Sequence, residues 1–84
     1  MYKIKFLPCS QKEYDKLKST RLKERITSSL QLLAQKPFKG KPLQAYLKGL
    51  YSLRVGDYRI VYKVLKEKKY IVIFKIGHRK EVYR

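Results

Sequence analysis

The chain has 84 residues, room for one sheet and one layer of helices but not for a second core. Lysine and arginine number 22 against 6 aspartate and glutamate, a formal net charge of +16, yet 44% of the residues are hydrophobic. The apolar share argues against wholesale disorder, and the charge points to a partner that relieves self-repulsion: nucleic acid first, an acidic protein second, an anionic membrane third.

The opening MYKIKFL alternates Tyr2, Ile4 and Phe6 with Lys3 and Lys5, the period of a half-buried strand, and Pro8 ends it. Ser10 followed by Glu13 has the pattern of a capping box and is expected to start a short helix that turns Tyr14 and Leu17 inward. A longer helix follows. Its stripe is Leu22, Ile26, Leu30 and Leu33, Ser19 or Thr20 caps its start, and Pro37 enforces its stop. A DNA-binding helix-turn-helix is the rival reading for this pair. The tight junction and the lack of a third supporting helix favour a packing hairpin.

FKGKPLQAYLKGL reads as a basic loop. In YSLRVGDYRIVYKV, Tyr51, Leu53 and Val55 alternate with Ser52 and Arg54, and Tyr58, Ile60, Tyr62 and Val64 alternate with Arg59, Val61 and Lys63. Gly56-Asp57 between them makes a two-residue hairpin turn with glycine first. LKEKK is a second turn, and YIVIFKI, apolar on both faces, is expected to be a central strand. The expected fold is thus a single α+β domain over residues 1–84. An N-terminal strand and a helical hairpin precede a three-stranded antiparallel meander, and all strands form one sheet with the helices on one face. Arg54, Arg59 and Lys63 then project from the uncovered face, with Val61 between them: a surface suited to phosphate.

Cys9 is the only cysteine, so no internal disulfide or thiolate metal cage forms, and a reduced, cytoplasmic setting is expected. No window approaches the about 18 apolar residues of a membrane span, and the N-terminus lacks the apolar run of a signal peptide. The acidic residues are dispersed and there is one histidine, so neither a two-metal site nor a zinc cluster is expected, and no cofactor motif is present. Metal-free RNA cleavage stays open. It needs a proton acceptor for the 2′-OH, cations on the phosphate and a proton donor for the leaving oxygen. Arg59, Arg79, His78 and Tyr83 have the side chains for those tasks. Taken alone, His78 and Arg79 also read as a polar strand end, and Tyr83 as an aromatic packed on the sheet edge.

The blocks LKGLYSLRVGDYRIVYKV and IVIFKIGHRKEVY resemble the signature of the RelE/ParE toxin superfamily, in its RelE-type branch. The preceding strand and helical hairpin match the order of that fold, so the resemblance spans most of the chain. It implies a toxin of a type II toxin–antitoxin pair: a ribosome-dependent, metal-free endoribonuclease that cuts mRNA in the ribosomal A site. It also implies an acidic antitoxin that neutralises the toxin, in a complex that binds operator DNA. By this resemblance Arg59, in DYR, contacts the scissile phosphate; Arg79, in GHR, stabilises it; Tyr83 stacks on a base or moves a proton. Arg54 and Lys48 would contact RNA. Ser52 departs from the pattern, since RelE has a lysine near there that has been proposed as a base, and His78 would take part of that role. A ParE-type poison of DNA gyrase and a catalytically weak RNA- or ribosome-binding member are the alternatives.

Overall fold

The computed structural model describes residues 1–43 and 49–78. Strand β1 (Lys3–Phe6) leads into helices α1 (Pro8–Asp15) and α2 (Thr20–Gln35). Four strands come after them: β2 (Lys41–Pro42), β3 (Tyr51–Val55), β4 (Tyr58–Leu65) and β5 (Tyr70–His78). They form one sheet in the order β1-β5-β4-β3-β2, with β1 parallel to β5 and the other pairs antiparallel. The α+β class, the helical hairpin and the meander are as the sequence pattern predicts.

The long helix begins where expected: the Ser19 hydroxyl accepts the Leu22 N–H at 3.1 Å. Its stripe buries Ile26, Leu30 and Leu33 against Val55, Ile60, Tyr62, Ile71, Ile73 and Ile76 of the sheet. Each such side chain contributes about 1.5–3 kcal/mol when fully buried, so this interface is a principal source of stability. No helix among the described residues is long and apolar enough to cross a membrane.

Two local expectations change. The first helix starts at Pro8, which has no N–H to leave unpaired at the first helical position. Ser10 is at the third helical position and not the N-cap, so it reaches back to the N-cap Leu7 as well as across to β5, and Glu13 serves β5. The fully buried Ser10 hydroxyl accepts the Leu7 N–H at 3.0 Å and donates to the Ile73 carbonyl at 2.7 Å. Glu13 accepts the Ile76 N–H at 3.0 Å. Because β1 pairs only with residues 70–73, the rest of this β5 edge is bare, and α1 covers it. The basic loop, secondly, contains a short fifth strand. Lys41 and Pro42 pair with Ser52 and Tyr51 at the sheet edge, where a proline without an N–H is tolerated.

The β3–β4 hairpin turns at Gly56-Asp57 as read from the sequence. Gly56 has φ 61, the positive value that the first position of such a turn requires. A bulge interrupts β5. Val61 pairs with Lys75 while Tyr62 pairs with Ile73, so Phe74 is an extra residue. It reverses the parity of the strand beyond it: Ile76 and His78 lie opposite Ile60 and Tyr58 on the helix side, and Lys75 and Gly77 lie opposite Val61 and Arg59 on the other side.

Candidate nucleic-acid interface

Residues paired across strands share a face, so the register assigns the uncovered side of the sheet. One row there runs Lys41, Ser52, Val61, Lys75, and the next runs Arg54, Arg59, Gly77. The short members, Ser52, Val61 and Gly77, are buried and form a floor, with the long cations standing around it. A concave groove of about 260 Å³ opens at the β2 side, lined by Lys39, Gly40, Lys41, Ser52, Arg54 and Arg59. Among the described residues no carboxylate lines it. Glu13 faces Lys75 at 3.3 Å, away from the groove.

The loop that brings Lys39 and Lys41 to the groove is tied down between them. The Gly40 N–H donates to the Tyr62 hydroxyl oxygen at 2.9 Å, and Tyr62 is wholly buried. A Cβ at position 40 would lie 2.6 Å from that oxygen and 2.8 Å from the Ser52 carbonyl, so only glycine fits. Burial pushes the Tyr62 phenol above its ordinary pKa. The Gly40 N–H opposes that shift and neighbouring Tyr51 adds to it.

Arg54 is steered by its own turn: its Nε donates to the Gly56 carbonyl at 3.1 Å. It also borders a second, wider cleft of about 540 Å³ toward α2, where Arg21, Arg25 and one carboxylate, Glu24, line the wall. Cationic character therefore continues around the hairpin end. Guanidinium forks and ammonium groups over a floor of small residues can hold the oxygens of a phosphodiester.

Of the residues expected to touch RNA, Arg54 and Arg59 meet in this groove. Lys63 projects from the same face but sits opposite Val72, outside the groove. His78 is on the helix side, edge-on to Tyr58 with ring centroids 5.8 Å apart. Lys48, Arg79 and Tyr83 lie outside the described residues. Sequence reasoning passed over Lys39 and Lys41. Their signal was the glycine between two lysines in KGK, which reads as a generic basic loop until β2 is seen to pair. Among the described residues no three of His, Cys, Asp and Glu converge as a metal site would require.

A family model described as the ParE toxin of the type II toxin–antitoxin system parDE matches residues 4–83. Toxin RelG of Mycobacterium tuberculosis is 31% identical over 84 residues, spanning 99% of this chain and 97% of that one. Among solved structures, the toxin–antitoxin complex RelBE2 of M. tuberculosis contains a chain that superposes with a TM-score of 0.83 at 30% identity, covering 93% of this chain and 98% of that one. The isolated Escherichia coli RelE toxin gives 0.80 at 26% identity, covering 99% and 92%. Fold and sequence agree over nearly the full length, and the chain belongs to the RelE/ParE superfamily of type II toxin–antitoxin toxins.

Proposed function

We propose that this toxin is of the RelE type, a ribosome-dependent endoribonuclease that cuts mRNA in the A site without a metal. The observation that carries the reading is the groove in which Arg54 and Arg59 stand over small, buried residues, with no carboxylate among the described residues that line it. Likeness to RelG along the whole chain supports it. The 2′-oxygen attacks the adjacent phosphorus, the bond to the 5′-oxygen breaks, and a 2′,3′-cyclic phosphate and a 5′-OH end result. Arg59 and Arg79 hold the phosphate and offset the charge that builds on it. Tyr83 and His78 position the base and move protons. For His78 this requires RNA to reach the end of the sheet where it meets Tyr58. Arg54, Lys48 and Lys63 contact the RNA backbone. The reaction requires no cofactor, and the setting is the cytoplasm.

An acidic antitoxin completes the system: a net charge of +16 favours such a partner, and RelBE2 is a toxin–antitoxin complex. That complex would also bind operator DNA. Induction of wild type, Arg59→Ala and Arg79→Ala, followed by sequencing of RNA ends, tests the reading. Wild type should leave cuts within translated codons, and each variant should lower them by about 100-fold or more. Equal cleavage by all three would remove the two arginines from the site. The second reading, a gyrase poison, has the ParE description of the matching family model in its favour. Intact mRNA together with broken DNA would select it.

A further inference from the structure

We infer that Lys41, on the short edge strand β2, is the proton acceptor for the 2′-OH in this groove. The inference rests on the ribonuclease reading above and gives the first proton transfer a group inside the groove, because His78 lies on the helix side of the sheet. Lys41 stands directly across from Ser52, on the same face, and lines the groove with Lys39, Arg54 and Arg59. Two of those neighbours are guanidiniums, which stay charged throughout the working pH range and cannot accept a proton. Ser52 is a hydroxyl. Among the described groups around the groove, only the two lysines can exist as free amines.

Lys41 is the better held of the two. Its backbone is paired with β3, and the preceding Gly40 is anchored to Tyr62, whereas Lys39 lies in the turn before that anchor. Short Ser52 opposite leaves space between Lys41 and the arginines, where the ribose and phosphate would sit. The step balances. The amine of Lys41 takes the 2′ proton and becomes an ammonium, the 2′-oxygen bonds to phosphorus, and the 5′-oxygen departs with a proton from solvent water. The new ammonium also lies beside the more highly charged phosphorane.

The test separates base from mere cation. Single-turnover cleavage of mRNA on ribosomes would be measured at saturating toxin, from about pH 6 to 9, for wild type, Lys41→Arg and Lys41→Gln. Lys41 is exposed on an edge strand, so both variants should fold, and circular dichroism checks this. Both should lose about 100-fold or more in rate, because arginine keeps the charge but not the proton chemistry. Their rate should also lose the rise with pH that wild type shows. Full activity in Lys41→Arg, or a loss confined to affinity, makes Lys41 a phosphate contact and overturns the proposal while the ribonuclease reading stands. No cleavage by wild type overturns both.

Discussion

At the scale of residues, the bond from Gly40 to Tyr62 joins the core to the groove. Tyr62→Phe keeps the ring and its stacking on Tyr51, at 5.6 Å between centroids, and removes only the oxygen that accepts the Gly40 N–H. The expected loss is about 1 kcal/mol in denaturant unfolding, together with, on the proposed ribonuclease function, weaker RNA binding as Lys39 and Lys41 loosen. Gly40→Ala should cost more, because a methyl group there meets both a buried hydroxyl and a carbonyl. The phenol also sets a pH dependence. Its folded-state pKa is above the ordinary value of 10.0, so the folded state holds this proton more tightly than the unfolded chain. Its contribution is whole below pH 10.0 and is lost as the pH rises through the folded value. Wild type should therefore lose stability between pH 10.0 and that higher value more steeply than Tyr62→Phe, as thermal melts would register. Equal slopes would mean that Tyr62 does not carry the effect.

At the scale of elements, α1 and the β5 bulge act together. Ser10 and Glu13 engage the backbone at Ile73 and Ile76, on either side of Phe74, so the helix holds the strand where its parity reverses. Glu13 does so chiefly through the backbone. Its ion pair with Lys75 joins side chains 29% and 43% exposed, and such pairs contribute between zero and about 1 kcal/mol. The bond to the partly buried Ile76 N–H contributes more. Glu13→Ala should cost about 1–2 kcal/mol, Lys75→Ala less than about 1, and Glu13→Gln, which keeps an acceptor oxygen, little. Hydrogen exchange at the Ile76 amide should quicken in Glu13→Ala alone. If Lys75→Ala matches Glu13→Ala in unfolding, the ion pair is the principal tie and the backbone bond is not.

For the molecule as a whole, a charge of +16 on 84 residues repels itself in the compact state. The melting temperature should climb as sodium chloride rises from low ionic strength, because added ions screen that repulsion. A short RNA with 2′-O-methyl groups, which cannot be cut, should raise it further by binding the folded chain. A melting temperature indifferent to salt would show that the cations are spread too thinly to strain the fold. Cations on the uncovered face stand mostly on paired strands, where backbone pairing holds their spacing.

Local patterning by itself determined the two helices, the Gly56 turn and the faces of β3 and β4, because side-chain period and turn chemistry are properties of neighbours in sequence. Arg54 and Arg59 could be placed together from that alone. The parallel pairing of β1 with β5, the strand at Lys41 and the side taken by His78 were decided only by the tertiary structure. Each depends on a partner distant in the chain. Ser52 and Tyr51 receive β2, α1 holds β5 through its bulge, and a single extra residue, Phe74, moves His78 to the opposite side of the sheet from Arg59.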